Sequence, residues 1–64
     1  MHFTNRAIEW VNTASRLGLM SAPALRQVRI QAGNVARRVG ATRIGRNHLE
    51  QALDELSGEE ATHV

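Results

Sequence analysis

Residues 36–53 read ARRVGATRIGRNHLEQAL, and this stretch decides the fold. Up to Val39 it continues a helical spacing that Gly40 ends. The segment Gly40–Gly45 is too short for a helix and holds β-favouring Thr42 and Ile44, so it reads as an extended link. From about Arg46 a new helix begins, with Leu49, Ala52, Leu53 and Leu56 on one face. Gly58 is its expected stop, which leaves 59–64 as a disordered acidic tail behind a single helical domain at 1–58.

Upstream, Ala24, Leu25, Val28, Ala32, Val35, Ala36 and Val39 share one face of a helix from about Ala22 to Val39. Ser21 is placed to cap it, and Pro23 falls in the first turn, where a missing N–H is harmless. Before it, Phe3, Ala7, Trp10, Ala14 and Leu17 make the apolar stripe of a helix from about Thr4 to Leu17, capped by Thr4 or Asn5. Gly18 is its left-handed stop, with Leu19 folding back as the apolar partner of a Schellman motif. The expected fold class is all-α: a small three-helix bundle with a short extended link between the second and third helices.

Sixty-four residues make one small domain, close to the lower limit for a self-sufficient core. There is no cysteine, hence no disulfide and no thiolate metal or cluster site. No apolar run approaches the ~18 residues of a membrane span, and the first twenty residues lack a basic-then-apolar signal pattern. A soluble cytoplasmic protein is the expectation.

Charge is the unusual feature. All eight cations are Arg, and seven of them lie between Glu9 and Glu50 with no carboxylate among them. Five of the six acids follow Arg46. Arg is the cation suited to interfaces, because its planar fork grips carboxylates bidentately and is weakly hydrated. On a helical wheel Arg26, Arg29 and Arg37 share one exposed flank of the second helix, with Ile30 among them. Arg43 and Arg46 follow in the adjoining link. These six residues, Arg26, Arg29, Ile30, Arg37, Arg43 and Arg46, form the candidate partner site: an apolar centre with a charged rim. The plainer reading is a solvated face neutralised by the protein's own acids. Glu50 and Asp54 repel at i,i+4, and Asp54 and Glu55 sit toward a helix C-terminus, so these acids favour Arg neighbours.

No catalytic residues are expected. His2, His48 and His63 are scattered without ligand spacing, the serines lack a nucleophile motif, and no phosphate loop is present. Neither a metal nor a cofactor is implied.

The spacing Ala36-Arg37-x-x-Gly40-x-x-x-Ile44-x-x-x-x-Leu49-x-x-Ala52 follows a Trp-bearing helix, the step Arg16-Leu17, and a Pro trailed by Arg26 and Arg29. In this it resembles the C-terminal domain of the B subunit of light-independent (dark-operative) protochlorophyllide reductase, a module that also occurs as a short stand-alone protein. The resemblance spans roughly Ala7 to Leu56. It implies an accessory role beside a redox or tetrapyrrole-related enzyme of chlorophyll biosynthesis or a nitrogenase-like system, not catalysis. The chain has Gly45 where the family has Thr or Ser, which leaves the last helix less securely capped. It has Ala24 and Leu25 where the family has aromatic residues, so no tetrapyrrole contact is carried over.

The function expected is therefore a non-catalytic interaction module docking on a protein partner. The alternative is a small basic, histone-like nucleic-acid-binding protein, which the arginine-rich middle suits and the acidic tail opposes. Self-association, with the acidic third helix of one copy against the arginine belt of another, is a third possibility and a compatible addition to the interaction-module reading.

Overall fold

Each helix begins and ends where a local chemical signal places it. A computed structural model of the chain describes the backbone of residues 2–62 and the side chains of residues 2–58. Helix α1 spans Asn5–Arg16, and Thr4 caps it, Oγ1 accepting from the Ala7 N–H at 3.2 Å. Helix α2 spans Ala22–Arg38, capped by Ser21, whose Oγ accepts from the Ala24 N–H at 3.3 Å. Each cap satisfies an N–H with no partner inside its helix. Both helices end in a Schellman motif. Gly18 and Gly40 sit at φ 67° and 73°, a left-handed backbone that strains any residue with a Cβ. The Leu19 N–H returns to the Ala14 carbonyl at 3.0 Å, and the Ala41 N–H to that of Ala36 at 2.8 Å.

Helix α3 spans Arg46–Thr62. Its start is secured by a device other than a hydroxyl cap. The Gly45 N–H donates to His48 Nδ1 at 2.8 Å, while the Gly45 carbonyl accepts from the His48 and Leu49 N–H groups. His48 thus plays the part that Glu or Gln takes in a capping box. The expected stop at Gly58 is corrected. Gly58 keeps helical backbone, and α3 continues to Thr62. Glycine costs a helix only about 1 kcal/mol relative to alanine, too little to end one when no left-handed turn follows. Residues 63–64 lie outside the described residues.

The extended backbone expected at 40–45 carries a short strand, but its pairing with a second strand was not foreseen. Phe3, expected on the first helix's stripe, belongs instead to β1 (His2–Phe3), which pairs in parallel with β2 (Arg43–Ile44). The Thr4 N–H donates to the Ile44 carbonyl at 2.9 Å and ties α1's cap to the link. The described chain is thus mainly helical, ordered β1-α1-α2-β2-α3, with one two-stranded parallel ribbon.

The core is built from small side chains. Its buried cluster is Ala7, Val28, Ala32, Ala36, Ile44, Leu49 and Ala52, and Leu49 is the one large side chain buried completely among the described residues. Alanine lets α2 and α3 pack closely but removes little apolar surface from water. Phe3, Trp10, Val11, Met20 and Leu56 pack around the cluster, each only partly buried. Leu17 and Val39, expected on apolar faces, are exposed because each lies past its helix end as the C-cap. The molecule is flattened, with principal extents of 35 × 29 × 15 Å.

Glu55 joins α3 to α2. Its carboxylate accepts from Gln51 Nε2 at 3.0 Å, from Gln31 Nε2 at 2.9 Å, and from Arg38. Hydrogen bonds from Gln51, Arg38 and Gln31, with the Arg38 charge, hold its pKa down from the ordinary 4.5 to about 2. A lowered folded-state value means that this contribution is complete above the unfolded value and is lost as acid protonates the folded carboxylate. The melting temperature followed by circular dichroism should therefore fall between pH 4.5 and about 2. Glu55→Gln, already weakened at neutral pH, should fall less over the same range.

Candidate functional site

The six arginines from Arg26 to Arg46 divide into three groups once they are placed on the fold. Arg38 and Arg46 are neutralised by the chain itself: Arg38 meets Glu55, and Arg46 Nε lies 3.0 Å from Glu50 Oε1. The acids of α3 thus find arginine neighbours, Glu55 across the α2–α3 packing and Glu50 within its own helix. Arg37 and Arg38 occupy the last turn of α2, where a cation complements the helix dipole.

Arg26 and Arg29 form the second group, and no such structural role accounts for them. They lie in the first half of α2, away from the end where the dipole favours cations, and no acid occurs anywhere on that helix. Both are exposed, and among the described residues neither is in an ion pair. Ile30 follows directly, 58% exposed. The inner side of the helix is taken up by Leu25, Val28, Ala32 and Val35, so the Arg26/Arg29/Ile30 surface looks away from the core.

Arg37 and Arg43 stand slightly apart from that surface, for a reason the wheel could not show. Gly33, which the wheel sets between Arg29 and Arg37, is buried. A Cβ there would meet Ile44 Cδ1 at 3.7 Å and Arg37 Nη2 at 3.9 Å. The β2 strand therefore crosses the belt at Gly33, and Arg37 lies along the seam. Exposed Arg43 precedes Ile44 on the same strand. Four cations on α2 and the adjoining strand, Arg26, Arg29, Arg37 and Arg43, are thus exposed and, among the described residues, outside any ion pair.

Arg46 does not join them. The parallel ribbon delivers the starts of α1 and α3 side by side, and Arg46 turns toward α1. With Arg6 it lines a groove of about 700 Å³ between α1 and α3, whose apolar lining comes from Trp10, Ala14, Leu19, Met20 and Leu53. A second opening, about 660 Å³, lies between the two helix starts and is lined by Thr4, Asn5, Arg6, Gly45, Arg46, Asn47 and Glu50. Sequence reasoning missed Arg6. The available signal was its i,i+4 relation to Trp10, which puts the two on one face of α1.

Among the described residues no group of three or more His, Asp or Glu side chains is placed to hold a metal ion. His48 Nδ1 is engaged by the backbone of Gly45. No helix of the described residues is long and apolar enough to cross a membrane. Against known proteins, no family model matches the chain, and neither does any curated protein or solved structure.

Proposed function

We propose that this protein is a non-catalytic interaction module that docks on an acidic protein surface through α2. The observation that carries this reading is Ile30, exposed beside Arg26 and Arg29 on a helix without a single acid. An apolar centre with a cationic rim supplies both parts of a protein interface. Ile30 contributes desolvation energy, and the guanidinium forks bond carboxylates bidentately. A phosphate backbone would use the arginines but gains nothing from Ile30. The described aromatics, Phe3 and Trp10, pack against the core, so none stands on this face to stack on a base. Arg37 and Arg43 extend the rim toward the ribbon, whereas Arg46 serves the opposite groove. The resemblance over Ala7–Leu56 makes a redox or tetrapyrrole-related enzyme the first partner class to test, with the three helices acting as a compact bundle that presents α2.

The test is co-purification from native lysate with substitutions that leave the fold alone. Arg29→Glu should abolish recovery of the partner, while Arg16→Glu, an exposed reversal on α1, should preserve it. Both variants should melt within a few degrees of wild type, since exposed charges are worth about 0–1 kcal/mol. Equal loss in the two variants would mean that capture reads net charge, and the α2 site would be abandoned.

A further inference from the structure

The α2 face is cationic throughout and cannot meet its own copy about a two-fold axis without setting like charges together. The groove between α1 and α3 has a different composition. Its floor is Trp10 and buried Ala14, with Met20 beside them. Its lips carry Leu19 and Leu53, 68% and 37% exposed. Its charged lining has both signs: Arg6, Glu9, and an Arg46 already bonded to Glu50. We propose that this groove is where two copies of the chain associate.

Two observations point to a second copy as the occupant. The first is charge. A face holding Arg6 and Glu9 one turn apart is self-complementary, because the Arg6 of one copy can meet the Glu9 of the other. A purely basic or acidic partner would leave one sign unanswered. The second is the make-up of the interior. Four of the seven residues in the buried cluster are alanine, while the bulkiest apolar side chain, Trp10, remains partly exposed at the groove. Pairing two such grooves buries large side chains that the single chain leaves wet, which adds apolar burial where the core is thin. Dimerisation here leaves Arg26, Arg29 and Ile30 free, so the inference goes beyond the docking role and stands without it.

Trp10 is the sole tryptophan and lies on the groove floor, so it reports on the contact directly. The experiment is sedimentation equilibrium of the full chain from about 1 to about 500 µM, with Trp10 emission read across the same range. The expected result is a monomer–dimer equilibrium whose emission shifts to the blue as dimer forms. Leu19→Glu, in the exposed α1–α2 turn, should weaken association at least about tenfold and remove the shift, with the circular dichroism spectrum unchanged. Leu53→Glu should act in the same way, and Arg29→Glu should leave the dimer intact. A monomer mass at every concentration would overturn the proposal. So would a dimer that survives both leucine variants, or one broken by Ile30→Ala instead.

Discussion

Leu49→Ala should be the most destabilising single core substitution. Leu49 is fully buried, and its surroundings in the cluster are mostly alanine and valine. Small neighbours cannot collapse into the space vacated, so the cavity term is retained in full. Removing a buried leucine costs about 2–5 kcal/mol. A chain of this length is stable by about 3–10 kcal/mol, at 0.05–0.15 per residue. The melting temperature read by circular dichroism should drop by roughly 10–30 °C, since each kcal/mol shifts a small domain by about 4–8 °C. A variant melting within a few degrees of wild type would show that the packing of α3 on α2 is not what holds the fold.

Trp10→Ala should be the second most damaging core substitution, and less so than its size implies. From its central place on the first helix's stripe Trp10 is expected to be the main anchor. In the structure it packs against the core on one side and lines the α1–α3 groove on the other. Because part of its surface is already wet, truncation should cost less than the about 3–5 kcal/mol of a fully buried tryptophan. Thermal melts of the two variants side by side check the order. If Trp10→Ala proved the worse of the two, the anchor would be α1 and not α3.

What could be read from the sequence was what local chemistry fixes. Thr4 and Ser21 cap helices through contacts three residues away, and Gly18 and Gly40 mark turns that only a positive φ can make. The exposure of Arg26, Arg29 and Ile30 followed from helical periodicity alone. What escaped was decided by partners distant in the chain. The β1–β2 pairing joins residues about forty positions apart through two-residue strands, too short to leave a pattern. Gly33 is buried only because Ile44 reaches it across the packing of β2 on α2. Arg46 left the belt because the ribbon sets the start of α3 against α1. Gly58 misled because a glycine stops a helix only when the following backbone turns left-handed, and here it does not.

Ile30 and its arginines are proposed to recognise protein and not nucleic acid. Paired titrations test this most directly. Wild type and Ile30→Ala are titrated against the purified partner recovered from lysate and against random duplex DNA, each at low and at ~0.15 M ionic strength. Partner binding should persist at the higher salt and weaken at least about tenfold in Ile30→Ala, with DNA binding weak, sequence-independent and lost at the higher salt. Submicromolar DNA affinity at the higher ionic strength, with partner binding indifferent to Ile30→Ala, would contradict the proposal.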